Sequence, residues 1–328
     1  MRKETTDMRI VYMGTPDFAV GALEAIITAG HDVVAVVTQP DKEKGRGKSI
    51  SMSPVKECAL KYNIPVLQPV KIRNEESVEE LRKLDADLFV VAAFGQILSR
   101  EILDMPKYGC VNIHASLLPA YRGAAPIQWA ILDGLQETGV TIMQMNAGLD
   151  TGDILLQEKL TIAEDETGES LFDRLSVLGA EAIVKAIPLI EEGKLQPVKQ
   201  DDSKSNYAKM LKKEMGLIDW NEDAEKIERY VRGLNSWPSA YTYLDGKQLK
   251  IWKAEVVDSS SELRRFRHIF GPDANTIGAI IGADKKSIIV GCGKDALRIL
   301  ELQLEGKKRM ETDAFARGYS LQFGERLG

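Results

Sequence analysis

The sequence predicts an α/β protein in which a doubly wound parallel sheet is followed by a smaller, open β-barrel domain. Three observations support this fold class. In the first half, continuous apolar runs alternate with helical patterns, which is typical of parallel strands buried on both faces. Beyond residue 207, short strand patterns are separated by turn residues. The length of 328 residues also exceeds what a single core usually holds.

A polar segment between the two patterns sets the expected domain limits. Residues 193–206 contain Pro197 and lack a hydrophobic period, so they are predicted to be a linker. We therefore expect a first, Rossmann-like domain at residues 8–192 and a second domain at residues 207–328.

The elements of the first domain are predicted in chain order. Thr15 is expected to cap a helix that has Pro16 in its first position and ends at Gly30. Ser53 and Asn74 mark two further helix starts. The predicted strands are residues 9–13, 32–38, 87–93, 139–145 and the run that ends at His114, and the remaining predicted helices are residues 125–132 and 167–192.

The second domain is predicted to be mainly β. A helix is expected at residues 224–234, and Asp245-Gly246 is a hairpin signal. The segment around residues 263–268 is interpreted as an inserted surface loop. The predicted strands are residues 240–244, 248–257, 287–290 and 296–300.

Composition indicates an ordinary globular protein, with 44% hydrophobic and 28% charged residues. No apolar run approaches the ~20 residues of a membrane-spanning helix, and residues 1–7 lack the apolar core of a signal peptide, so we expect a cytoplasmic protein without membrane contact. Cys58, Cys110 and Cys292 are too few and too far apart for a disulfide framework or a metal knuckle, and we expect them to be packing residues.

The net charge of -6 is unevenly distributed. Residues 207–328 hold 21 Lys+Arg and 18 Asp+Glu, which leaves 22 and 31 for residues 1–206 out of the totals of 43 and 49. The first part therefore carries -9 and the last part +3. A mildly basic second domain is compatible with a polyanionic partner, and equally with a solvated surface.

Three common site motifs are absent from the sequence. Gly14 stands alone where a dinucleotide fingerprint requires three glycines, and Lys42 occupies the first glycine position of a P-loop ending in Gly47-Lys48-Ser49. The three histidines do not form a zinc motif, so no metal is expected.

The most informative segment is residues 112–123. Asn112 and His114 end an apolar strand and lie two residues apart, so their side chains share a face at its carboxyl end. For an isolated pair, a turn-capping amide and a core histidine would be the more usual explanation, because single polar residues at strand ends are mostly structural. Asp150 and Asp153 lie in a glycine-hinged turn, where they could simply cap the turn. If the fold brings one of these carboxylates close to His114, it would orient the imidazole and stabilise its charged form.

These three groups, without a Ser or Cys nucleophile at an elbow, fit direct acyl transfer to an amine. The amide stabilises the oxyanion of a tetrahedral intermediate, and the imidazole handles the proton that the attacking nitrogen loses.

The pattern Asn112-x-His114-Ala-Ser-Leu-Leu-Pro-x-x-Arg122-Gly123, followed by Leu149-Asp150-x-Gly152, resembles the signature of the folate-dependent formyltransferases. The resemblance covers nearly the whole chain from Met8 and is closest to members that formylate methionyl initiator tRNA. It implies an OB-like second domain, 10-formyltetrahydrofolate as donor, no metal, and methionyl initiator tRNA as acceptor. The catalytic residues it implies are Asn112, His114 and Asp150, and the folate contacts are Ser116, Leu117, Leu118, Pro119, Ala92, Phe94 and Gly95.

The resemblance also suggests where the tRNA would bind. Lys42, Arg46 and Lys48 lie in a basic loop after the second strand, and Lys307 and Arg309 lie in the basic second domain. By composition alone the loop could be solvated surface. A formyltransferase with a small acceptor and a non-catalytic RNA-binding module are the alternative functions, and a monomer is expected.

Overall fold

The computed structural model describes residues 8–44, 49–258, 260–271, 274–283, 287–319 and 321–328. The chain forms two compact units. The first comprises the chain up to Pro126 with Glu137–Thr161 and Phe172–Ala208, and the second comprises Ile127–Gln136, Ile162–Leu171 and Lys209–Gly328. Among the described residues, no helix is long and apolar enough to cross a membrane. The domain limits that the sequence suggested stay a prediction.

The described residues of the first unit form eleven strands. They are β1 (Arg9–Gly14), β2 (Asp32–Val37), β3 (Lys42–Lys44), β4 (Ser49–Ser51), β5 (Val66–Leu67), β6 (Leu88–Ala92), β7 (Cys110–His114), β8 (Arg122–Gly123), β9 (Glu137–Gln144), β10 (Ile154–Thr161) and β11 (Tyr207–Ala208). Seven of them form one sheet in the order β10-β9-β7-β6-β1-β2-β5. The five strands from β7 to β5 are parallel, and β9 and β10 add an antiparallel edge. β3 pairs with β4 and β8 pairs with β11.

The helices in the chain up to residue 191 are α1 (Val20–Thr28), α2 (Pro54–Lys61), α3 (Glu75–Lys83), α4 (Arg100–Leu103), α5 (Pro126–Leu132) and α6 (Gly168–Glu191). Nearly all of α5 and the start of α6 belong to the second unit, and the other helices belong to the first. The helix start predicted at Ser53 is confirmed: α2 begins at Pro54, and the Ser53 hydroxyl caps it by accepting a hydrogen bond from Lys56 N at 3.1 Å.

The predicted cap at Thr15 is wrong. A short 3-10 turn at Asp17–Ala19 precedes α1, and Pro16 before it makes no side-chain cap. The Thr15 hydroxyl instead donates a hydrogen bond to the carbonyl of Phe94 at 3.0 Å. A tertiary partner therefore replaces the local one, and it connects the segments that follow β1 and β6.

Burial in the core of the first unit explains why the sequences of its strands are continuously apolar. Four consecutive residues of β1, from Ile10 to Met13, are fully buried. The hydroxyl of Tyr12 donates to the carbonyl of Ala19 at 2.5 Å, and burial raises the pKa of this phenol. The sheet is thus covered on both faces, as a parallel sheet requires.

The second unit is built on an antiparallel sheet. Its strands are β12 (Ala240–Leu244), β13 (Lys247–Val257), β14 (Ile280–Ala283), β15 (Ile288–Gly291), β16 (Ala296–Leu304) and β17 (Met310–Glu311), and its helices are α7 (Ala224–Gly233), α8 (Ser260–Phe270) and α9 (Thr312–Gly318). The strand order is β12-β13-β16-β15-β14, with β17 on β16. This curled half-barrel in the second unit and the parallel α/β sheet of the first unit together confirm the predicted fold class.

The segment predicted as an inserted surface loop is the helix α8. Its apolar residues Leu263, Phe266 and Phe270 recur at helical spacing between charged residues. Phe266 is only 4% exposed and packs with Ala279 and Ile281. The loop prediction was therefore wrong. The packing of Phe266 stabilises α8, whereas the many charged residues of the segment had suggested a solvent-exposed loop.

Candidate active site

Asn112 and His114 lie on β7, in the middle of the sheet. Asn112 is opposite Val91 on β6 and Met143 on β9, and His114 is opposite Thr141. The side chains two residues apart share a face, as expected. His114 is 6% exposed. The Asn112 side chain is half-buried, and no described residue hydrogen-bonds to it. Its amide is therefore available to a ligand.

The hydrogen bonds of His114 determine which ring nitrogen is available for proton transfer. Nε2 lies 2.9 Å from the carbonyl oxygen of Tyr121. Because a carbonyl can only accept, Nε2 carries a hydrogen. Nδ1 lies 3.8 Å from Asp150 Oδ2, which is too long for a hydrogen bond but close enough to stabilise positive charge on the ring. The nitrogen that can accept a proton is therefore Nδ1.

Backbone geometry fixes the Asp150 carboxylate. Its Oδ2 accepts a hydrogen bond from Gly123 N at 2.9 Å, and its side chain is only 13% exposed. Asp150 itself has a φ of +52°, in the left-handed region that non-glycine residues seldom occupy. At Gly152 an added Cβ would lie 1.7 Å from the carbonyl oxygen of Gln144, so only glycine fits there. The two features together set the carboxylate near His114.

Gln200 connects the Asp150 turn to Arg122. Its amide nitrogen donates to the carbonyls of Asp150 at 2.8 Å and Gly152 at 2.6 Å. Its amide oxygen accepts from Arg122 Nε at 3.0 Å and from the terminal nitrogen Nη2 at 2.7 Å, which also donates to Asp202 at 2.8 Å. Gln200 is 8% exposed. Nothing in the sequence marks this role, because a single amide in a polar segment has no pattern.

Hydrogen bonds of two buried residues stabilise the turn after β7. Ser116 is 1% exposed and its hydroxyl donates to the carbonyl of Ala120 at 2.7 Å. Leu118 is 3% exposed, and its backbone N–H donates to the Thr141 hydroxyl at 3.1 Å. Leu117 and Pro119 are half-buried. Ser116 and Leu118 thus shape the turn, and the folate contacts assigned to these four residues stay a prediction.

The segment after β6 lies beside the loops that follow β1 and β2. Ala92 and Phe94 are buried, and the Phe94 carbonyl accepts from Thr15 at 3.0 Å and from the Gln39 side chain at 3.2 Å. The backbone turns outward at Gly95, where φ is +82°. The predicted folate segment is therefore a turn at the carboxyl end of parallel strands, where ligands bind in such sheets.

The residue that precedes the predicted tRNA-binding loop, Asp41, is fixed by side-chain hydrogen bonds. Asp41 accepts hydrogen bonds from Lys56 at 2.6 Å and Gln68 at 2.7 Å, and the bond from Lys56 holds the pKa of this carboxyl below its usual value. Lys42, the next residue, is exposed at the start of β3. Arg46 and Lys48 lie outside the described residues.

The two other predicted tRNA contacts lie in the second unit. Lys307 is exposed. Arg309 contacts both oxygens of Glu301 at 2.5 Å and lies over the ring of Trp252, 4.7 Å from its centroid. Its guanidinium therefore already has an internal partner. Within the described ranges, no group of three or more His, Cys, Asp and Glu residues could hold a metal ion.

Comparison with known proteins decides the family. Residues 8–187 match the family described as Formyl transferase, and residues 210–320 match Formyl transferase, C-terminal domain. The chain belongs to the formyl transferase family. It is 55% identical over 321 residues to a protein of Lachnospira eligens named Methionyl-tRNA formyltransferase, covering 98% of this chain and 100% of the relative. A relative of the same name from Agathobacter rectalis is 53% identical, with coverages of 97% and 98%.

Solved structures of formyl transferases and related proteins share the fold. The sugar 3N-formyl transferase WlaRD has a TM-score of 0.62 at 20% identity, covering 92% of this chain and 99% of the neighbour. HypX from Aquifex aeolicus, in complex with tetrahydrofolic acid, has a TM-score of 0.59 at 16% identity, covering 95% of this chain and 47% of HypX.

Proposed function

We propose that this formyl transferase moves the formyl group of 10-formyltetrahydrofolate to the α-amino group of methionyl initiator tRNA, for use in translation initiation. The chemistry rests on one observation. The Asn112 amide, to which no described residue hydrogen-bonds, shares a strand face with the buried imidazole of His114, whose Nδ1 lies 3.8 Å from Asp150 Oδ2. The acceptor rests on relatives of that name, which are 55% and 53% identical over nearly the whole chain.

The donor set at the site fits a formyl-bearing folate. The free amide of Asn112 can bind the formyl oxygen, and the turn at Ala92, Phe94 and Gly95 offers backbone groups to a polar ring. In this proposal, the opposite side of the folate pocket is formed by the turn after β7, which comprises Ser116, Leu117, Leu118 and Pro119. HypX, a fold neighbour, binds tetrahydrofolic acid. When bound, the donor supplies the formyl group that the acceptor amine attacks.

The mechanism assigns one task to each side chain. His114 accepts a proton from the attacking amine at Nδ1, because Nε2 carries a hydrogen in its bond to Tyr121. Asp150 stabilises the positive ring that results. Asn112 donates a hydrogen bond to the formyl oxygen as charge develops on it in the tetrahedral intermediate. When the tetrahedral intermediate collapses, the bond between the formyl carbon and the folate nitrogen breaks, and the proton held at His114 Nδ1 passes to that nitrogen as tetrahydrofolate leaves. No covalent bond to the enzyme is required.

We assign catalysis and folate binding to residues 8–192, a linker to residues 193–206, and tRNA binding to an OB-like domain at residues 207–328. In this assignment Lys42, Arg46 and Lys48 contact the acceptor end of the tRNA, and Lys307 and Arg309 contact its body. Phosphate contacts of this kind are supported by the net charge of +3 in the last domain, 21 cations against 18 acids. The protein is proposed to act as a monomer.

An acceptor comparison tests the proposal. The protein is incubated with labelled 10-formyltetrahydrofolate and, separately, methionyl initiator tRNA, uncharged tRNA, free methionine, glycinamide ribonucleotide or an amino-sugar nucleotide, with His114→Ala as the inactive control. We expect label to enter only methionyl initiator tRNA. Transfer to either nucleotide at a comparable rate would overturn the assignment and indicate a small-acceptor enzyme. Absence of transfer to every acceptor would refute the enzymatic function.

Charge reversal tests the loop separately. Arg46→Glu should severely impair use of charged tRNA and leave donor binding near normal. It should also lower the salt dependence of tRNA binding by about one counterion for each phosphate that the loop no longer holds. Lys61→Glu, at an exposed cation that ends α2, makes the same charge change outside the loop. Equal effects of the two variants would show that only net charge matters.

A further inference from the structure

The helix α8 presents an unusual concentration of exposed cations. Arg264, Arg265, Arg267 and His268 are exposed, and the eleven residues of the helix contain one acid, Glu262. In the part of the chain that the structure describes, none of these four groups forms an ion pair. Arg264 adds only a minor effect on nearby Asp258, whose pKa is lowered mainly by its hydrogen bonds to Ser260. Four positive or titratable groups are therefore concentrated on three turns of helix.

Five other cations of the second unit form ion pairs with acids of the same unit. Ion pairs at 2.5–2.9 Å join Arg232 to Glu228, Arg298 to Glu255, Arg309 to Glu301, Arg317 to Asp313 and Lys226 to Glu222. The cations of α8 have no such partner among the described residues, and they are clustered on one short helix.

Helix geometry places these cations on one face. At about 100° per residue, Arg264, Arg267 and His268 fall within an arc of about 100°, and Arg265 widens it to about 160°. Phe266 projects opposite the centre of that arc. Because Phe266 is 4% exposed and packs against the sheet, the cationic face points to solvent.

Aromatic packing fixes the orientation of the helix. The Phe266 ring lies 4.7 Å from that of Phe270 and 5.4 Å from that of Phe323, and Phe270 stacks on Phe323 at 5.7 Å. Arg265 lies over the Phe323 ring, 5.4 Å from its centroid. The arginines are thus held on a rigid support, which lowers the entropy cost of their binding.

We propose that the α8 surface, defined as Arg264, Arg265, Arg267 and His268, binds backbone phosphates of the tRNA body and adds affinity for the acceptor substrate. The inference rests on the proposed function. Phosphate contact requires a fixed cationic face and no sequence-specific groups, which is what α8 offers. On the side of α8 opposite the cations, Phe266 is buried, whereas Ile269 and Phe270 are 55% and 50% exposed. Binding to an anionic membrane surface is therefore the alternative that the vesicle measurement below distinguishes.

The test removes the charge without changing the helix. In the triple variant Arg264→Gln, Arg265→Gln, Arg267→Gln, each replacement retains high helix propensity. The matched control, Lys247→Gln, Lys253→Gln, Lys294→Gln, removes the same charge at exposed positions of the same unit. Binding of deacylated initiator tRNA is measured between about 50 and 200 mM salt. Formylation of methionyl initiator tRNA gives kcat and KM, and melting temperature monitors folding.

We expect the α8 variant to bind tRNA about 10-fold or more weakly, with a salt slope shallower by about two to three, because it can no longer neutralise up to three phosphates. KM for the tRNA should rise while kcat at saturation stays unchanged, and the control should change little. Equally weakened binding in both variants would overturn the inference, since net charge would explain it. Unchanged tRNA binding would overturn it too, and weaker binding to phosphatidylserine vesicles in that case would identify a lipid surface. Wild-type protein that formylates no tRNA would refute the proposed function itself.

Discussion

Replacement of Gln200 by alanine tests whether the segment after α6 positions Asp150, the proposed catalytic carboxylate. The side chain makes four hydrogen bonds, two donated to the carbonyls of Asp150 and Gly152 and two accepted from Arg122. At about 1 kcal/mol for each neutral bond and about 2 kcal/mol for each bond to a charged group, their removal amounts to about 6 kcal/mol. Water that enters the vacated space recovers part of this, so we expect a destabilisation of about 2–4 kcal/mol.

Two readouts separate folding from catalysis. The melting temperature of Gln200→Ala should fall by about 4–16 °C, at about 2–4 °C per kcal/mol for a unit of this size. Well below that temperature, kcat should fall roughly 10–100-fold, because small displacements of a catalytic group are costly. KM for the donor should change less, since Gln200 contacts none of the proposed folate residues.

Two further variants make the test specific. Gln196→Ala changes the same residue type at an exposed position of the same segment and should alter neither readout. Gln200→Glu keeps the acceptors for Arg122 but removes the donors to the two carbonyls, so it should be more stable than the alanine variant yet similarly slow. A normal kcat in Gln200→Ala would show that the Asp150 turn holds its position unaided, and the reasoning would be refuted.

Three other predictions follow from single features. Gly152→Ala should lower kcat by roughly 10²-fold in a steady-state assay, because its Cβ would lie 1.7 Å from the Gln144 carbonyl and the turn must move; normal activity would refute this. Cys58, Cys110 and Cys292 should react with a thiol reagent at pH 8 only after unfolding, since burial raises their pKa to about 11, about 12 and about 12; rapid native labelling would contradict it. A chelator should leave formyl transfer intact, and a drop in activity that a divalent metal restores would show a metal requirement.

Two features could be predicted from the sequence for physical reasons: the parallel sheet, and the common strand face of Asn112 and His114. β1, β2 and β6 are buried on both faces, so their apolar runs are continuous and easily recognised. Asn112 and His114 are two residues apart on a strand, which fixes their common face. Only the family resemblance identified Asp150 as the residue that approaches His114. A residue in a turn has no local sequence pattern that would reveal a contact with a residue 36 positions earlier.

What the sequence missed depends on tertiary contacts. Thr15 looked like a cap, but its hydroxyl binds the distant carbonyl of Phe94. Gln200 lies in a polar segment, where no periodicity marks a buried amide. In α8 the charged residues obscured the helical spacing of Leu263 and Phe266. In each case the deciding partner is remote in sequence, so local propensity alone could not reveal it.

The most direct test of the proposed site is the single-turnover rate of formyl transfer to methionyl initiator tRNA at saturating donor. The wild type is compared with Asn112→Ala, His114→Ala, Asp150→Ala and the double variant of His114 and Asp150. Each single change should slow transfer by roughly 10²-fold or more, because it removes the oxyanion donor, the base or the carboxylate that supports the base. The double variant should be slowed much less than the product of the two single effects, since the pair acts as one unit. Rates unchanged in the three single variants, or strictly multiplicative effects in the double variant, would contradict the proposed site.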